Sequence, residues 1–177
     1  MNYSGERILL SSQRESRVSR FRFWVMLVIP LAALLFQIYV PLFFRFLSFL
    51  DLPLLVVIYL AVMRRNPVSG LLMGAAVGLA QDSLSKNPLG MYGIVNTLVG
   101  YFAASIGMKL DVDNVLMRFL LAFFFYVFHQ AFYWVMERAL LSHMSPFDLP
   151  SWLGLGVLNA LVGAALFHFL DKLRVTA

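Results

Sequence analysis

Residues 51–67 read DLPLLVVIYLAVMRRNP. Asp51 is a natural N-cap and Pro53 suits the first turn of a helix. Twelve apolar residues run from Leu52 to Met63, and Arg64, Arg65 and Asn66 make a tight polar turn before Pro67. Twelve residues of helix span about 18 Å, short of the ~30 Å hydrocarbon core of a bilayer. Such a segment crosses only by recruiting Phe46 to Leu50, by thinning the bilayer locally, or by lying inside a bundle. The choice decides the fold, because it sets the side of the membrane on which Arg64 and Arg65 emerge.

Composition requires a membrane. Hydrophobic residues make up 61% of the 177 residues, against about 45–50% in soluble domains. Charged residues are 13%, about half the usual share. A soluble fold of this length has too little polar surface to cover that much apolar side chain. The net charge of +5 does not imply nucleic acid, because the basic residues sit at the ends of apolar runs rather than on one folded face. The chain has no Cys, which removes disulfides and thiolate metal sites.

Six apolar segments follow from this reading: about 23–44, 47–63, 67–82, 89–108, 115–136 and 152–170. They make one transmembrane domain, 23–177, behind a basic leader, 1–22. The run from Phe23 to Phe44 is broken only by Gln37, Pro30 and Pro41. It is too long for the h-region of a cleaved signal, and no small-x-small site follows it. It reads as a retained first helix. The leader, with Arg7, Arg14, Arg17, Arg20 and Arg22, suits a topology signal lying on anionic membrane lipid.

With six crossings, one side holds Arg7, Arg14, Arg17, Arg20, Arg22, Arg64, Arg65, Lys109, Arg118, Lys172 and Arg174, and the other holds Arg45, Lys86 and Arg138. Eleven of the fourteen basic residues thus share one compartment, and positive-inside bias makes it the cytoplasm. Both termini are expected there. If the second and third segments were a non-crossing hairpin, Arg64 and Arg65 would change sides and the bias would weaken. Arg118 is expected to snorkel from the inner end of its helix.

Gly70, Gly74 and Gly78 recur at four-residue spacing on one face of the third helix. Bare backbone on that face lets another helix approach closely and gain dispersion contacts. Packing inside the bundle explains this more simply than contact with another protein. Asp82 follows the ridge by one turn. It is either a buried and therefore functional carboxylate or a solvated loop residue bonded to nearby backbone, and both readings stay open. His129 and Gln130 lie mid-depth in the fifth helix, where an interhelical hydrogen bond is the simpler role and a proton relay or ligand contact the sharper one. Asn96 and Asn159 read the same way.

Catalytic motifs do not emerge. The sequence contains no H-E-x-x-H, G-x-S-x-G or P-loop. No acid pair or His cluster has metal-ligand spacing. No catalytic, metal or cofactor-binding residue is therefore assigned, and a scaffold or carrier is expected rather than an enzyme.

The order Asp51-Leu52-Pro53, Arg64-Arg65-Asn66-Pro67, Gly70, Gly74, Gly78-Leu79, Asp82 and Pro88-Leu89-Gly90 resembles the rod shape-determining protein MreD family of bacteria. Gly90 joins the glycine ridge and Asp82 as a position matching the family pattern. The resemblance implies an all-α membrane protein, a six-transmembrane-helix bundle similar to the substrate-binding subunits of energy-coupling-factor transporters. It implies a non-catalytic scaffold of the cell-elongation complex that builds lateral peptidoglycan in the bacterial cytoplasmic membrane. The implied partners are an MreC-like single-span protein, with MreB and a RodA–penicillin-binding protein synthase nearby, and no nucleic acid. No cofactor is implied. The alternative is a substrate-capture subunit of a vitamin transporter, which would need a closed polar pocket on the outer side.

Overall fold

The computed structural model describes residues 23–85, 90–110, 112, 114–141 and 146–172. The basic leader, Lys86 and the Pro88-Leu89 step lie outside the described residues. Among the described residues all regular structure is helical: α1 (Phe23–Phe43), a 3-10 turn (Arg45–Phe49), α2 (Leu52–Arg64), α3 (Pro67–Leu84), α4 (Met91–Gly107), α5 (Val115–Leu141) and α6 (Leu149–Asp171). Three of these, α1, α5 and α6, are long and apolar enough to cross a membrane.

Three helices begin with the same chemistry. The Asp51 carboxylate accepts from the Leu54 N–H, the Asn66 side chain from Ser69 and the Asp148 carboxylate from Ser151. A proline stands in the first turn of each, where its missing N–H costs nothing. At the other end of α2, Arg65 takes a left-handed conformation, φ 51°, and its N–H closes on the Ala61 carbonyl. That residue turns the chain sharply into α3.

α2 is the axis of the bundle. Every residue from Leu54 to Met63 is at most 2% exposed, and α2 touches each of the five other helices. At 13 residues it is about 20 Å long, yet it meets no hydrocarbon. Its neighbours absorb the length mismatch that a lipid-facing helix would pass to the bilayer. The residues before it do not extend it: Arg45–Phe49 form the separate 3-10 turn. Asn159 of α6 fixes that junction, accepting from the Asp51 N–H and donating to the Phe49 and Leu155 carbonyls.

α3 and α4 form an antiparallel hairpin in near backbone contact. A Cβ built on Gly70 would lie 2.3 Å from the Gly100 carbonyl oxygen, one on Gly74 2.0 Å from that of Asn96, and one on Gly78 2.3 Å from that of Tyr92. Lipid supplies no hydrophobic drive for helices to associate, so such close approach is where cohesion arises. The outward faces stay apolar: Trp24, Leu42, Phe43, Val68, Leu72, Leu161 and Phe169 are all largely exposed.

Arg118 does not snorkel. It is buried on α5, where Nε donates to the Val112 carbonyl and Nη1 pairs with Asp171 of α6. The same carboxylate accepts from the Tyr59 hydroxyl on α2. A guanidinium with a carboxylate within reach is better satisfied by that partner than by a distant headgroup, since both charges keep their hydrogen bonds.

Candidate functional site

Apart from Arg118, the buried polar side chains gather toward the end of the bundle where α3 finishes and α4 begins. Asp82 lies in the last turn of α3 and is 1% exposed. Its Oδ2 accepts from the Gly90 and Gly93 N–H groups, each at 2.9 Å, and its Oδ1 from the Tyr92 N–H at 3.1 Å. These are donors of the first turn of α4, which no residue within that helix can satisfy. The N-cap position is held by Gly90, which has no side chain to offer and adopts φ 98°. Asp82 thus caps α4 from a neighbouring helix, and its negative charge sits at the positive end of the α4 dipole. The carboxylate is buried, as in the first of the two readings, and its partners are backbone groups, as in the second, though of another helix rather than of a solvated loop. No Cβ neighbour crowds Gly90, so a glycine is needed there for its backbone angle, not for space.

One residue earlier on α3, Gln81 Oε1 accepts from Asn96 Nδ2 of α4 at 3.2 Å. The two amides lock the hairpin register beside Gly74, whose backbone lies against Asn96.

His129 of α5 is also 1% exposed, and neither ring nitrogen has a hydrogen-bond partner. Its ring stacks on Tyr92 with centroids 5.7 Å apart and lies 6.4 Å from that of Tyr133. The Tyr92 and Tyr133 rings meet at 4.9 Å. The interhelical hydrogen bond expected of His129 is not made; stacking takes its place. Gln130 turns away and donates to the Tyr126 hydroxyl one turn back on its own helix.

Arg64 and Arg65 lie at the far end, half-buried in the α2–α3 turn. They are separated from the polar cluster by the full length of α3. Gly70, Gly74 and Gly78 line one face between the two ends. Tyr92 and Tyr133 are members of the cluster that sequence reasoning did not group with His129. Tyr133 stands four residues further along the same helix, whereas the Tyr92 contact crosses from α4 to α5, and no spacing along the chain encodes it. Among the described residues, no three acids or histidines are placed to hold a metal. Chemically, the cluster is a fixed polar frame that joins the end of α3 and the start of α4 to the middle of α5.

Among the described residues, five helices around a buried sixth, three of them apolar and long enough to span, with apolar outer faces and a satisfied carboxylate inside, define an α-helical membrane protein. A family profile described as rod shape-determining protein MreD matches residues 18–173. That is nearly the whole chain, and the chain belongs to this family of shape-determining membrane proteins. No curated protein and no solved structure matches it. The transporter alternative draws no support from these comparisons.

Proposed function

We propose that this protein is a non-catalytic scaffold of the cell-elongation complex in the bacterial cytoplasmic membrane. It crosses six times with both ends in the cytoplasm and holds the membrane helix of an MreC-like single-span partner. MreB and a RodA–penicillin-binding protein synthase act alongside that pair. Family membership supports the shape-determining role.

The geometric observation that carries the reading is the two-sided α3–α4 hairpin. Its inner side is backbone against backbone and leaves no room for a partner. Its outer side is a shallow apolar groove of about 330 Å³ lined by Ala75, Leu79, Gly93, Ile94, Thr97 and Leu98. A floor of small residues admits another helix to short distance, which is how helices associate in lipid. The rigid inner side keeps that groove in one shape.

Photoreactive residues at Leu79 and Ile94, with Leu161 on α6 as the control position, test this in native membranes. Adducts to a single-span MreC-like protein are expected from the first two and not from the third. Adducts only from Leu161 would move the interface elsewhere. Failure of any such protein to co-purify with the wild-type chain would remove the partner itself.

A further inference from the structure

A second groove runs between α1 and α3. Its apolar part is lined by Leu27, Pro30 and Leu31 of α1 and Met73, Ala76 and Ala80 of α3, with a volume of about 360 Å³. Leu34 and Val77 form its floor, packed on Val57 of the central helix. At Leu34 it continues into a smaller, more polar recess of about 290 Å³ that also meets Gln37, Gln81, Ser85 and Tyr92. Both volumes are of the order of small-ligand pockets, roughly 300–1,000 Å³.

The polarity changes in one direction. The apolar part lies along the middle of α3, and the polar part lies at its C-terminal end. Met73 to Ser85 is about 18 Å along a helix axis. That is about the depth of one leaflet of a ~30 Å hydrocarbon core. A partner's membrane helix would need the whole thickness. An amphiphile with one apolar tail and a polar head needs only half.

The polar end shows what kind of head. Gln37 Oε1 is buried and accepts no hydrogen bond, which leaves an acceptor waiting for a donor. Pro41 has no N–H, so the Gln37 carbonyl also loses its regular helical donor. Gln81 Oε1 is already engaged by Asn96, which leaves the Gln81 amide N–H groups to donate. Among the described residues, no lysine, arginine, aspartate or glutamate lines the recess. The described lining therefore offers hydrogen bonds to a headgroup.

We propose that the α1–α3 groove holds a single membrane lipid of the leaflet facing the α3 C-terminus. One acyl tail lies against Met73, Ala76 and Ala80. A donor-bearing headgroup, amine or hydroxyl, donates to Gln37 Oε1, and an oxygen of the same head accepts from the Gln81 amide. The lipid seals α1 to the bundle, where α1 is otherwise the least embedded of the spanning helices. This inference does not depend on which protein partner docks on the other groove.

The test is native mass spectrometry of the full chain, released from nanodiscs with equal amounts of phosphatidylethanolamine and phosphatidylcholine. The two heads differ in that only the first can donate. Wild type is expected to retain one phosphatidylethanolamine at least tenfold over phosphatidylcholine. Nanodiscs of phosphatidylglycerol and phosphatidylcholine should show the same preference, since a hydroxyl serves as well as an amine. Ala76→Trp, at an exposed position, should abolish retention by filling the groove, with helicity by circular dichroism unchanged. Gln37→Leu should keep a bound lipid but lose the preference between heads.

Wild-type lipid retention in Ala76→Trp would overturn the proposal, and so would an unchanged preference in Gln37→Leu. A photoreactive residue at Met73 that crosslinks to protein rather than lipid in native membranes would overturn it as well. Co-purification of the single-span partner with Ala76→Trp, scored separately, distinguishes failure here from failure of the scaffold reading.

Discussion

Asp82 is a carboxylate whose partners are three backbone N–H groups of another helix. Hydrogen bonds to a charged group contribute about 1.5–3 kcal/mol each before the loss is shared among water and neighbours. Asp82→Ala is expected to lower stability in detergent by about 2–4 kcal/mol, with a smaller loss for Asp82→Asn, which keeps one acceptor. Thermal unfolding of the purified variants measures both, and an unchanged midpoint for Asp82→Ala would remove the capping role. His129 is the opposite case. Its ring is buried and stacked, but its nitrogens are unpartnered. An unsatisfied buried polar group costs about 1–3 kcal/mol, and an apolar isostere of similar shape removes that cost. His129→Phe should therefore raise the unfolding midpoint. If that stabilised variant fails to support rod shape, the histidine is retained for function rather than fold; normal shape would assign it no role beyond packing.

At the scale of the element, the α3–α4 hairpin is set by what is missing from it. Gly70, Gly74 and Gly78 lie against backbone carbonyls with no space for a methyl group. Gly74→Ala should separate the helices at a cost of about 1–3 kcal/mol, as overpacking does elsewhere, and Gly74→Leu should abolish the fold or the complex. Gly154 on α6 is the internal control, because nothing lies within 4 Å of a Cβ built there. Gly154→Ala should be neutral or stabilising by about 0.5–1 kcal/mol through helix propensity. Equal effects at the two positions, read by protease resistance in native membranes, would contradict the close-contact account. α2 shows the same logic at its ends: Asp51 starts it and Arg65 stops it, while its length is freed from the bilayer by its neighbours.

Across the whole molecule, one ion pair ties three helices together. Arg118 of α5, Asp171 of α6 and Tyr59 of α2 share hydrogen bonds at one end of the bundle. Removing one member of a buried pair is costly, about 3–5 kcal/mol, whereas replacing both by apolar groups is often close to neutral. Arg118→Met alone should destabilise the bundle strongly, and Arg118→Met with Asp171→Leu should recover most of the loss. A double variant as weak as the single one would show that the pair is worth more than its desolvation cost. The opposite end holds the Asp82 and His129 cluster, so each end of α2 is fastened by its own polar network.

Much of this was legible along the chain. Composition required lipid, apolar run lengths marked helices, and Asp51, Pro53, Asn66 and Pro67 marked where two of them begin, because capping is a matter of a few adjacent residues. The four-residue glycine spacing marked a face for close approach for the same local reason. What the chain alone left open was whom each face meets. That α2 is the axis, that the ridge packs on α4, that Asp82 caps a helix not its own and that Arg118 finds Asp171 were all decided by tertiary structure. These contacts join residues far apart in sequence, and only the packed bundle determines whether a polar group in lipid meets a partner, water or nothing.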